Sequence, residues 1–268
     1  AAPPAMCASS AMFNPERAGM HHRRRASKGA MLVELMVGLA IASIAIGAAI
    51  ASLLVARDAA VIVNELAQLH QDASHAMRVM SQQARMVGSH ELQGSAAGSF
   101  RFVASVPAGE TSTQIRGTDG AIGSSDSVRL VHTSPPLLPS QQLDCLGYET
   151  TPGLPAQAAF QVDSQGNLQC KGTAPKPQPL IAGVAAFRVR YRVRQGGLIR
   201  SLAAPEVEAG HLWSAVTALE VCLELQGAAR TASSDATYTD CLDRTTGTGG
   251  RLKFVTRRVF AVNAQARA

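Results

Sequence analysis

The stretch "RRRASKGAMLVELMVGLAIASIAIGAAIASLLVARD", Arg23 to Asp58, decides how the rest of the chain is read. It sets a basic run and a glycine before one glutamate, Glu34, and then an apolar run. Leu35 to Ala56 is 22 residues without a charge or a proline. As a helix it rises about 33 Å, against about 30 Å of bilayer hydrocarbon. That length spans a membrane once. A cleaved secretory signal shares the basic flank but has a shorter apolar core, with small residues marking the cut. Here the run leads directly into an amphipathic helix, which favours an anchor. A carboxylate inside such a segment is costly, so Glu34 requires an explanation.

The composition fits one membrane segment joined to a modest soluble core. The 268 residues are 46% hydrophobic but only 4% aromatic, with a mean hydropathy of +0.07. The net charge of +6 invites a polyanion-binding reading, but its location argues otherwise. Residues 1–29 carry Arg17, Arg23, Arg24, Arg25 and Lys28 against Glu16 alone, so four of the six net charges precede the apolar run. Basic residues there act as a positive-inside topology signal.

Beyond the anchor the sequence predicts one long helix and then strands. Ala59, Ile62, Leu66, Leu69, Ala73, Ala76 and Met80 recur at three- and four-residue steps, with Val87 two turns further on, one stripe of a helix that Gly88 can stop. Short runs come next, between Gly-, Pro- and Ser-rich turns: "FRFVASV", "SVRLVHT", "AAFQVDSQGNLQC", "AAFRVRYRV", "VTALEVCLEL" and "LKFVTRRVFAV". "DSQGN" fits a hairpin loop, while "GSSDS" and "TAPKPQP" are expected to be loops. No internal repeat is evident. The fold class is therefore α+β, a long N-terminal helix whose distal half packs on a mostly antiparallel sheet. The segment before Met20 is rich in Ala, Pro and Ser and has no periodicity; a start at Met20 would give a shorter leader, "MHHRRRASKG".

Cys7 precedes the anchor, whereas Cys145, Cys170, Cys222 and Cys241 lie beyond it. Four cysteines in an exported domain suggest two disulfides in an oxidising compartment, and the absence of C-x-x-C argues against a zinc site. Three pairings are open to them. The expectation is neighbour pairing, Cys145 with Cys170 and Cys222 with Cys241.

"KGAMLVELMVGLAI" resembles the class III signal of type IV pilin-like proteins. The resemblance implies a cut by prepilin peptidase after Gly29, a new and methylated N-terminus at Ala30, and a register role for Glu34. In that family the glutamate pairs with the N-terminal ammonium of a neighbouring subunit. Such a pair is strongly attractive where water is scarce. Ala30 stands where the family usually has Phe or Met. Gly38, Gly47 and many alanines let helices approach closely. "MRVMSQQARMVGS", "LIAGVAAFRVRYRV", "HLWSAVTALEVCLEL" and "RLKFVTRRVFAVNAQAR" look like the PilW family of minor pilins.

The resemblance implies an organisation of four parts. Residues 1–29 are a cleaved leader, 30–56 a transmembrane and polymerisation helix, 57–88 its amphipathic half, and 89–268 a β-rich periplasmic or extracellular domain. The implied partners are prepilin peptidase, other minor pilins, the major pilin and the inner-membrane assembly platform. The implied location is the inner membrane and then the pilus tip, with roles in priming assembly, twitching, adhesion and DNA uptake. A minor pseudopilin of a type II secretion system shares these features and is the alternative. A bitopic periplasmic binding module, with an incidental glutamate, is the second.

Nothing in the sequence points to catalysis: there is no G-x-S-x-G, H-E-x-x-H or Gly-rich phosphate loop, and no cofactor or metal is expected. His70 and His75 are five apart and share a helix face poorly, and Met77, Met80 and Met86 fit packing. Arg188, Arg190, Arg192 and Arg194 share one strand face and could meet DNA phosphates. Glu220 and Glu224 on an adjacent strand would instead pair with them, and this is the better reading. Asp235, Asp240 and Asp243 near Cys241 lack calcium-loop spacing and suit a solvated loop.

Overall fold

A computed structural model describes residues 30–88, 91–94, 98, 100–103, 114–121, 124–133, 143–151, 155–230, 233 and 235–262. The expected leader, with Gly29 and Cys7, lies outside the described residues. The chain divides into two compact units, Ala1–Ala56 and Arg57–Ala268.

Helix α1, Ala30–Met86, contains no proline and is rich in alanine and leucine, which lose little on becoming helical. It stops where expected, at Gly88, whose φ of +72° is the left-handed conformation that glycine adopts without a Cβ clash. In the second unit one face of α1 is buried through Leu69, Ala73, Ala76, Met77, Met80, Ala84 and Val87. The stripe expected from Ala59 starts later than its periodicity suggested. Ala59 is exposed, Ile62 only half-buried and Leu66 44% exposed, because periodicity marks a face and not the extent of what covers it.

The next strands are β1 (Glu91–Gly94), β2 (Phe100–Val103), β3 (Ile115–Thr118), β4 (Ser127–Thr133), β5 (Pro155–Val162), β6 (Leu168–Lys171) and β7 (Gln178–Ile181). Then come β8 (Val184–Gln195), β9 (Leu198–Leu202), a short helix α2 (Ala204–Ala209), β10 (Val216–Gln226), β11 (Thr237–Thr239), β12 (Thr245–Gly247) and β13 (Lys253–Ala261). Every pairing between the described strands is antiparallel. They form a four-stranded sheet β13-β10-β8-β9, a five-stranded sheet β3-β4-β5-β6-β7, and two small ribbons, β1-β2 and β11-β12. The architecture is thus the expected α+β class, with two main sheets in place of one. "TAPKPQP" is not all loop: Gln178 and Pro179 open β7, and proline is tolerated there because β7 is an edge strand.

The predicted alternation of β8 is realised. Val184, Phe187, Val189, Tyr191 and Val193 are buried and join the side chains of α1 in one core cluster. Tyr191 also closes the seam between the two sheets. Its ring meets Trp213 edge-on at 4.9 Å, and its hydroxyl takes up the space that a Cβ on Gly117 of β3 would need. Only glycine fits there. The loop before β4 adds a polar tie, since the Asp126 amide donates to the Phe187 carbonyl at 2.9 Å.

Candidate functional site

In the first unit the unusual feature is an apolar helix with nothing to pack on. From Leu32 to Val55 every large apolar side chain is more than half exposed, and these residues lie on all sides of the helix. It is the one described helix long and apolar enough to cross a membrane, and none of its most apolar window is buried. A helix apolar all round needs lipid or other helices as its surroundings. Positions that would carry a Cβ on Gly38 and Gly47 meet nothing within 4 Å, leaving two notches open to a neighbour.

Three side chains in this span are polar, and two are satisfied locally. Ser43 Oγ donates to the Leu39 carbonyl at 2.7 Å, and Ser52 Oγ to the Ala49 carbonyl at 2.9 Å. Such back-bonding lets a hydroxyl sit in hydrocarbon. Glu34 differs. It is exposed, one helical turn beyond Ala30, and has no hydrogen-bonding or ionic partner among the described residues. Ala30 is the first residue of α1.

The second unit brings the four downstream cysteines together in pairs. Cys145 is bonded to Cys170 and Cys222 to Cys241, with Cα separations of 6.3 and 5.7 Å. In each pair one cysteine lies on a strand, Cys170 on β6 and Cys222 on β10, and the other in a tight turn. The turns "DCLGY", residues 144–148, and "DCLDR", residues 240–244, are built alike. Asp144 Oδ1 accepts the amides of Leu146 and Tyr148; Asp240 Oδ1 accepts those of Leu242 and Arg244. Asp163 closes "DSQGN" in the same way through the amides of Gln165 and Asn167. The fourth turn residue is left-handed in all three: Gly147, Gly166 and Asp243, at φ +83°, +76° and +59°.

These bonds set the acidity of the aspartates. Burial raises the pKa of Asp144, but donors from Thr173, Tyr148 and Leu146 outweigh it and hold the carboxyl below its ordinary range. Asp240 is likewise raised by burial and lowered further by Arg244 and Leu242. Asp163 is lowered chiefly by the Asn167 amide. The shared turn is a repeat that sequence reading missed, although the recurrence of "DCL" was a visible signal.

Three of the four arginines on this face of β8 are taken up by protein carboxylates, a hydroxyl and carbonyls, and Arg194 is exposed with no partner among the described residues. Arg188, with its side chain 13% exposed, reaches Asp126 at 2.8 Å and Asp119 at 3.6 Å. Arg190 donates to Ser201 at 3.0 and 3.2 Å. Arg192 lies 3.4 Å from Glu220, which Arg257 also approaches at 4.0 Å. Glu224 shares the face of Glu220 but stands opposite Ala186 of β8, so it pairs instead with Lys253 at 3.3 Å and accepts from the Tyr238 hydroxyl. Guanidinium groups used in this way are poorly placed to read phosphates. Asp243 reaches Arg257 at 2.8 Å. His70 packs edge-on against Phe254 at 5.4 Å and His75 is exposed. Among the described residues no His, Cys, Asp or Glu group is arranged to hold a metal ion.

No protein-family model matches the chain, and no curated protein matches it. Among solved structures it is similar to a type IV-like pilin from Thermus thermophilus, at 19% identity and a TM-score of 0.47. That likeness covers 74% of this chain and 97% of the other.

Proposed function

We propose that this chain is a minor pilin of a type IV pilus, of the PilW type, which primes assembly and remains at the tip. The supporting observation is Glu34, the one polar side chain of the exposed apolar span without a local partner. Prepilin peptidase would cut after Gly29 and free an ammonium group on Ala30, which is then methylated. In the assembled state the Glu34 carboxylate would take the Ala30 ammonium of the adjoining subunit. The pair fixes axial register while the apolar surface and the notches at Gly38 and Gly47 supply adhesion. Other minor pilins, the major pilin and the inner-membrane platform are the partners under this reading. The protein would begin as a single-pass inner-membrane protein and be extracted into the pilus.

Deleting the chromosomal copy tests it. Loss of surface pili and of twitching is the expected result. Loss of exoprotein secretion with pili intact would instead assign the chain to a type II secretion system. An intact phenotype in both would leave a periplasmic binding module. N-terminal sequencing of assembled protein is expected to start at Ala30, and retained residues 20–29 would overturn the processing step.

A further inference from the structure

The second unit contains a basic groove that the register role of Glu34 leaves unused. It runs between the last turns of α1 and strand β13, with a volume of about 690 Å³. Arg78 and Arg85 line it from the helix, seven residues apart and so on one face, and Arg258 lines it from the strand. Ser81 and Gln82 add polar side chains between the two helix arginines. Met77 and Phe260 form an apolar floor, each buried, and Met86 is half-buried beside them. Among the described residues no carboxylate lines the groove. Neither Arg78 nor Arg258 has an ionic partner among the described residues. This is the reverse of the β8 face, where Arg188 and Arg192 each meet an aspartate or glutamate.

Strand β13 contributes a second feature. It is the outermost strand of its sheet, and no described strand pairs with its outer edge. A free edge offers a row of backbone donors and acceptors to an added extended segment. Apolar floor, cationic rim and an edge unpaired among the described strands therefore lie together. A small anion such as phosphate would satisfy the rim and leave the floor and edge unused.

We infer that this groove docks an extended acidic segment of a partner protein subunit. Two or more carboxylates would meet Arg78 and Arg258, and one apolar side chain would rest on Met77 and Phe260. Methionine suits such a floor because its unbranched side chain adapts to different shapes. Arginine suits the rim because its planar fork matches a carboxylate. The inference rests on the proposal that the chain assembles with other subunits, and adds where a second contact is made.

The test uses the full chain in its own host, with the photo-reactive residue p-benzoylphenylalanine in place of Gln82. Illumination should yield a protein adduct, mapped by mass spectrometry to a segment with at least two aspartates or glutamates. Arg78→Glu and Arg258→Glu should each lower the adduct yield by about tenfold, as charge reversal at an interface does. Reversing the mapped acid to arginine should restore it. Arg78→Gln and Arg258→Gln, compared at equal protein abundance, separate loss of charge from loss of folding. A lipid or nucleic-acid adduct, or a yield indifferent to the reversals, would overturn the inference. So would the absence of a protein adduct in cells with normal pili or secretion. Failure of the assembly proposal itself would appear separately, as a deletion strain with neither defect.

Discussion

Glu34, Glu224 and Asp144 are three carboxylates whose surroundings give them three different roles. Asp144 is satisfied by backbone amides and closes a turn. Glu224 is buried with Lys253, their side chains 7% and 9% exposed, and also accepts from Tyr238. Removing one member of a buried pair leaves the other charge without compensation. Lys253→Met is therefore expected to lower the unfolding free energy by about 3 kcal/mol. The double variant Lys253→Met with Glu224→Gln should recover most of that loss, read from urea-unfolding midpoints. Glu34 has no such partner, so its replacement has the opposite profile. Glu34→Val removes a charge from hydrocarbon, and the protein should insert in the membrane at least as well as the parent. What should fail is incorporation into pili, measured in sheared surface fractions. Wild-type piliation by the Glu34→Val strain would contradict the register role.

Among the elements, those legible in the sequence were the ones that carry their own signal. The apolar run and three-four periodicity of α1 are local properties, and so is the strict alternation from Phe187 to Val193. Strands β3, "IRGT", β7, "QPLI", and β9, "LIRSL", were not read as strands, because each contains glycine or proline or lacks alternation. Their conformation comes from pairing with β4, β6 and β8. The same limit applied to the sites. Arginines on one face of β8 were visible, but Asp126, the partner of Arg188, comes from a loop 62 residues earlier in the chain. The groove beside Arg78 and Arg258 needs two elements that only folding brings together. Disulfides tie such non-local elements: Cys222–Cys241 joins central strand β10 to the turn between β11 and β12. A loop of this size contributes about 3 kcal/mol by restricting the unfolded chain. Cys222→Ser should lower the melting temperature and expose Cys241 to thiol reagents, and turnover of the protein in cells should rise. An unchanged melting temperature would show that the Asp240 turn holds this ribbon without the bond.

For the whole molecule, stability against pH depends on groups on both main sheets and their turns. His132 on β4 is 1% exposed, and neither ring nitrogen has a partner among the described residues. Burial pushes its pKa below the ordinary value, with the Asp144 charge opposing the shift. Between the depressed folded value and about 6.5, the unfolded chain binds a proton that the folded chain refuses. Stability is therefore full above about pH 6.5 and falls as pH drops through that window, with a slope of at most about 1.4 kcal/mol per pH unit. Asp144, Asp163 and Asp240 have depressed folded values too, so their contribution persists until pH falls below about 4 and is lost through their folded values. Asp119 acts in the opposite sense. Burial, the Asp126 hydrogen bond and its charge raise its pKa, which favours the folded state as pH falls toward 3.8. Urea midpoints of the full chain in detergent, measured from pH 8 to pH 3, should show two separate losses. His132→Phe should remove the first, near neutrality, and leave the acidic one in place. A titration of His132→Phe that still declines just below pH 6.5 would assign that loss to another group.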